Sequence, residues 1–409
     1  MWIELTFVLA LTLSSLPQIL TGPTSLSSVK ALTRASNQFS QKLYAQVALN
    51  RSISVYSPFS LHACLSMAYL GARTSTADQM KRTLQLIRVA APHAAYKDLI
   101  KSLNAVPRVN VLIANGIWVN PNYPVKMQYQ NVIVRQYFAE IDTIDLTAAG
   151  GPETPINSFV AEKTYNKIPD MLGPDSITND TSSVLVSVLL FNATWNTPFD
   201  ESLTTKGDFT RADGLNVQVD LMHQTTDLEF KQSAVENVDV VRLPFANQRL
   251  AFFVALPQTN SGLSALETMM ASENTDIDVL FTGMSKVKVH LYLPRFRILA
   301  SMSLKNALSK MGMPNAFQPV ANFSGISVEP LVISDVFQRA VFEIRESGTA
   351  AAAVASSSLN AVTSLHVTDP PIVVRVDHQF MFFVRDDLSN QILFQGHVSD
   401  PSVSNLDIQ

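Results

Sequence analysis

Apolar positions recur at helical spacing over residues 29–48, and a short β-like run over 52–56 then ends in Ser57-Pro58-Phe59-Ser60. Pro58 suits the first turn of a helix and Ser57 its cap, with Leu61, Leu65, Ala68 and Tyr69 following on one face. Helices are predicted over 77–87 and 94–103, and a strand over 110–119. Residues 184–191 (Val-Leu-Val-Ser-Val-Leu-Leu-Phe) are apolar on both parities, the pattern of a central strand covered on both faces. Further strands are predicted over 238–243, 250–256, 285–293, 372–376, 380–384 and 391–394. Helices early and strands late favour one mixed α+β domain over alternating βαβ units, and no repeat or interdomain linker interrupts it.

One segment escapes these rules. Residues 348–358 read Gly-Thr-Ala-Ala-Ala-Ala-Val-Ala-Ser-Ser-Ser. The alanines favour helix and the serines a flexible linker, so local propensity does not decide its state.

The 409 residues are 47% hydrophobic and 16% charged with a formal net charge of -4, which excludes a disordered chain and argues against electrostatic nucleic-acid binding. Residues 1–22 have the length and order of a secretory signal peptide, although Glu4 stands where a cation is usual, leaving 23–409 as the single domain. No later apolar run is long enough for a membrane span. Sequons at Asn50, Asn179, Asn192 and Asn322 fit an extracellular glycoprotein, with Asn50 and Asn179 better placed among polar residues. Cys64 is the only cysteine; it excludes an internal disulfide and reads as a small buried hydrophobe, and a monomer is expected.

Local signatures of the large enzyme classes are missing: no G-x-S-x-G, H-E-x-x-H, phosphate loop or dinucleotide glycine fingerprint occurs. His62 and Cys64, two residues apart on a helix, project to different faces and read as structural. Catalytic residues, metal ligands and cofactors are therefore expected to be none. Lys81, Arg82, Arg88, Lys97 and Lys101 could line a glycosaminoglycan site, but they form no dense basic stripe.

The residues Asp377-His378-Gln379-Phe380-Met381-Phe382-Phe383-Val384-Arg385-Asp386, followed by Ile392-Leu393-Phe394-Gln395-Gly396, resemble the C-terminal signature of the serpin superfamily, with Gln379 where proline is usual. Further family blocks stand in order. They are Ser57-Pro58-Phe59-Ser60, residues 187–199 with Trp195 and Pro198-Phe199, Met222-His223-Gln224, Leu256-Pro257, Leu293-Pro294-Arg295-Phe296 and Phe323-Ser324-Gly325-Ile326-Ser327. The likeness spans about residues 30–401. It implies a mixed α+β serpin fold of three β-sheets and about eight or nine helices, with an exposed reactive centre loop at about 346–371. The implied partner is a serine protease trapped as a covalent acyl-enzyme when the cleaved loop inserts into the main sheet. The alternative is a non-inhibitory carrier or chaperone.

On this likeness Glu346, Gly348, Thr349, Ala350, Ala351, Ala352 and Ala353 form the hinge. A segment that becomes a central strand must tolerate neighbours on both edges and both faces, so proline and charge are excluded, and residues 348–362 contain neither. Thr349, Ala351, Ala353 and Ala355 share the parity that would face inward. Ordering the loop costs about 1 to 2 kcal/mol per residue, against about 0.5 to 1.5 kcal/mol per hydrogen bond gained. Net gain therefore requires a sheet already strained toward accepting the strand.

The resemblance also sets Glu346 opposite Arg295 near Trp195, and implies a buried polar cluster of Ser57, Ser60, Ser187 and Gln338. Ser187 stands where the family has asparagine, and Gln338 where it has histidine. Counting from the hinge places the reactive bond at Val362-Thr363, with Leu359 and Leu365 as alternatives. Val362 suits an elastase-like pocket and either leucine a chymotrypsin-like one, and no Lys or Arg favours a trypsin-like target.

Overall fold

In the computed structural model, residues 26–47, 53–272, 275–349, 370–402 and 406–408 are described. Residues 1–22, Asn50, Ala350 to Ala353, Leu359, Val362, Thr363 and Leu365 lie outside them.

The described residues include eight α-helices and fifteen strands. Six strands form one sheet in the order Leu406–Ile408, Phe296–Ser303, Asp335–Ile344, Ser183–Ala193, Val109–Val119, Glu140–Thr143. The other nine form one network, because the 18-residue Asn216–Ser233 strand runs through both remaining expected sheets and joins them.

The apolar run at 184–191 is the centre of the Ser183–Ala193 strand. Val184, Val186 and Val188 pack with Ile156 and Val160 of the Thr154–Lys163 helix, while Leu185, Leu189 and Phe191 join the main core on the other face. Period-2 side-chain placement thus explains why both parities are apolar. Ser187 is the polar exception on the main-core parity.

The Pro58–Gly71 helix begins as its sequence implies: Ser57 is extended, and its side chain accepts from the Ser60 amide at 3.1 Å. Twelve of its fourteen residues are buried, polar Ser60, His62 and Ser66 among them, and it lies behind the sheet. The helix expected over 77–87 instead divides into Thr74–Thr83 and a 3-10 turn, Leu86–Arg88, because Gln85 adopts a left-handed conformation (φ 55°) between them. The Leu26–Val47 and Pro92–Asn104 helices match expectation to within a few residues.

The Asp335–Ile344 strand, which leads directly into the expected hinge, is not predicted by the hydrophobic pattern. It runs parallel to Ser183–Ala193, from Asp335 opposite Val184 to Val341 opposite Leu190. Above that point the two strands no longer pair.

Candidate functional site

The chain turns sharply as it leaves the Asp335–Ile344 strand. Arg345 and Gly348 exchange backbone hydrogen bonds at 2.9 and 3.0 Å around Glu346 and Ser347. Gly348 has φ 125°, and a Cβ there would lie 2.3 Å from the Ala193 carbonyl oxygen and 2.8 Å from Thr194 Cα. Only glycine combines this dihedral with so close an approach.

Thr349 then enters the space at the upper end of the Ser183–Ala193 strand. Its amide donates to the Ala193 carbonyl at 2.8 Å, its Oγ1 accepts from the Ala193 amide at 2.7 Å, and it is 4% exposed. Thr349 is therefore seated against the upper end of the Ser183–Ala193 strand.

Trp195 holds the turn from the side. Its indole Nε1 donates to the Arg345 carbonyl at 2.9 Å, its amide donates to Ser347 O at 3.1 Å, and its ring stacks on Phe245 at 4.8 Å and 4°. Glu346 is 5% exposed, so it is not the solvated charge that a free loop base would carry. Its Oε1 accepts from Thr204 Oγ1 at 2.8 Å and lies 3.7 Å from Arg295 Nη1. Arg295 makes its shorter contact elsewhere, with Asp220 Oδ2 at 2.8 Å. The expected pair exists, but Thr204, which no sequence signal singles out, is the nearer partner.

In mid-sheet the predicted polar cluster closes on itself. Gln338 Nε2 donates to the Ser57 carbonyl at 2.9 Å and to Ser187 Oγ at 3.2 Å, and its Oε1 accepts from the Ser57 amide at 3.2 Å. Ser187 Oγ in turn donates to Ser60 Oγ at 3.0 Å. Ser187 Oγ thus meets both Gln338 and Ser60 directly. Asn115, opposite Ser187 on the adjoining strand, is a member that the sequence does not reveal. Its Oδ1 accepts from Ser60 Oγ at 2.8 Å, and its Nδ2 donates to the Ser60 carbonyl at 3.0 Å. The amide expected at position 187 is supplied one strand away.

The chain is anchored again from Ile372 onward. Ile372–Arg375 pairs parallel with Ser285–Pro294, and His378 follows with Nε2 2.7 Å from the Pro257 carbonyl and Nδ1 3.0 Å from Asp377 Oδ1. Burial disfavours charge on this imidazole, but Asp377 and the Pro257 carbonyl outweigh it and raise its pKa. Both neighbours accept, so the doubly protonated ring satisfies them together.

His62 and Cys64 are structural, as their spacing implied. His62 Nε2 meets the Leu84 carbonyl at 2.8 Å while Nδ1 meets Tyr96 OH, and Cys64 Sγ donates to the Val186 carbonyl at 3.5 Å. Burial drives the thiol pKa far up and the His62 pKa down to about 4. Among the described residues, no group of three or more His, Cys, Asp or Glu could hold a metal, and no helix is long and apolar enough to cross a membrane. Of the described sequons, Asn179 is exposed in a turn. Asn192 sits in a strand with its Oδ1 buried, and Asn322 Oδ1 accepts from the Ser324 amide.

A family model described as "Serpin (serine protease inhibitor)" matches residues 34–401. The chain belongs to the serpin family. Serpin B10 of Otolemur garnettii is 31% identical to it over 397 residues, covering 91% of this chain and 98% of that protein. Ovalbumin of Dromaius novaehollandiae is 30% identical over 387 residues, covering 90% and 98%. Among solved structures, human thyroxine-binding globulin complexed with thyroxine has a TM-score of 0.81 at 26% identity, covering 91% of this serpin and 99% of that chain. The mixed α+β fold is thus the serpin fold.

Proposed function

We propose that this serpin is an inhibitor of serine proteases rather than one of the family's non-inhibitory members. The observation that carries the reading is the seating of Thr349 on Ala193, directly ahead of a segment without proline or charge up to Val362.

The proposed chemistry is acyl-enzyme trapping. A protease serine attacks the carbonyl carbon of the reactive bond, the Thr363 nitrogen leaves with a proton, and the Val362 carbonyl remains as an ester on the enzyme. Cleavage frees the hinge side of the loop. With Thr349 already in place, the following residues can extend as a strand between Asp335–Ile344 and Ser183–Ala193, which must separate. The tethered protease is drawn along before water reaches the ester. Adding a strand in this way is favourable only when ladder hydrogen bonds form on both of its edges, since each contributes little net free energy by itself.

Val362-Thr363 as the reactive bond directs the inhibitor toward elastase-like proteases; Leu359 or Leu365 would direct it toward chymotrypsin-like ones. Secretion, with a glycan at exposed Asn179, belongs to the same reading and is supported by the N-terminal apolar segment. Incubation with an elastase, a chymotrypsin and a trypsin, followed by a denaturing gel and sequencing of the released fragment, tests it. A complex that survives denaturation with elastase, and release at Thr363, is expected. Cleavage without complex across the panel would favour a carrier or chaperone.

A further inference from the structure

The family match ends at residue 401, yet the chain adds one more strand to the main sheet. Leu406–Ile408 runs parallel to Phe296–Ser303, with Leu406 opposite Ala300, Asp407 opposite Ser301 and Ile408 opposite Met302. Without it, Phe296–Ser303 would be the outermost strand on that side, and the 300–302 stretch that it covers would present unpaired backbone donors and acceptors.

The chain is held by side chains as far as Ser402. Asp400 is 7% exposed, its Oδ1 accepts from the Ser402 amide at 3.0 Å and from Ser402 Oγ at 2.5 Å, and its Oδ2 meets Arg211 Nη1 at 3.3 Å. The added strand also lies at a particular level of the sheet. Met302 is opposite Gln338, Gln338 opposite Ser187, and Ser187 opposite Asn115, so Ile408 extends the row that holds the buried polar cluster.

We propose that Leu406–Ile408 is an edge-closing strand, and that the partner it excludes is a second copy of this chain. Two identical edges related by a two-fold axis pair antiparallel, so the Phe296–Ser303 strands of two copies would join their sheets into one continuous sheet. That contact closes on itself and yields a dimer rather than a fibre. It needs no insertion of the reactive loop, so it is independent of the inhibitory reading.

The test compares the intact chain, a chain ended at Asn405, and the full-length Asp407→Pro variant, which removes an amide donor from the middle of the three-residue strand. Sedimentation over a concentration series should show both altered proteins dimerising about tenfold more tightly than the intact chain, the scale set by one or two ladder hydrogen bonds. Inhibition stoichiometry or, in a non-inhibitor, cleavage rate should be unchanged. Cleavage of the altered proteins within 350–369 should leave dimerisation intact. Equal association in all three proteins would overturn the proposal, and so would association that disappears on cleavage, because assembly would then run through the loop.

Discussion

Thr349 Oγ1 lies 2.7 Å from the Ala193 amide nitrogen and 3.2 Å from its carbonyl oxygen, so one hydroxyl both accepts from and donates to the backbone at the top of the central strand. The Thr349 amide adds a third bond to the same residue. If the proposed inhibitory reading holds, insertion would start from this existing strand contact rather than from an open chain.

Gly348→Ala tests whether that docking depends on close approach. The new Cβ would meet the Ala193 carbonyl oxygen and Thr194 Cα, and the dihedral would become unfavourable, a combined cost of about 1 to 3 kcal/mol. The variant should need more inhibitor per protease inactivated, with faster amide hydrogen exchange at Thr349. Unchanged exchange would show that the backbone accommodates the methyl without releasing the hinge.

Gln338→Leu tests the mid-sheet cluster. It removes the acceptor for Ser57 N–H and the donor to Ser57 O and Ser187 Oγ, all in a site where Gln338 is 1% exposed. Denaturant unfolding should show a loss of about 1 to 3 kcal/mol from the stranded polar groups. Ser187→Ala should cost less, because Ser60 keeps its bonds with Asn115.

His62 gives a pH dependence with a definite sign. Its folded pKa is depressed by burial from 6.5 to about 4, so the neutral ring stabilises the fold fully above about pH 6.5 and that contribution is lost as pH falls toward 4. Up to about 3 kcal/mol is at stake. His62→Gln should make the stability profile shallower between those limits, leaving the part owed to His93, whose pKa burial likewise lowers to about 4; an equally steep profile would assign the acid sensitivity to other groups.

The legible and illegible parts of this chain divide by how far a residue's role depends on distant partners. The 184–191 strand is readable because both of its faces are apolar, and the Pro58–Gly71 helix because Ser57 and Pro58 mark its start locally. Asp335–Ile344 escapes the pattern because Gln338 interrupts an otherwise regular inward set of Val336, Ala340, Phe342 and Ile344. That same glutamine makes sense only beside Ser57, which is 281 positions away. Asn115 and Thr204 share this difficulty: their partners, Ser60 and Glu346, come from distant segments. Likewise, no residue in 348–358 reports locally that a strand awaits it; the family blocks elsewhere supply that reading.

Thr349→Arg gives the most direct measurement of the central claim. Thr349 is buried against Ala193, and an unpaired cation there would oppose strand insertion by several kcal/mol, on the order of 2 to 7 for a buried polar group without a partner. The reactive bond is untouched, so an elastase should still cleave it. On a denaturing gel the wild-type serpin should give covalent complex, and the arginine variant should give cleaved serpin with active protease recovered. Undiminished complex formation by the variant would contradict a trap that works by inserting this hinge.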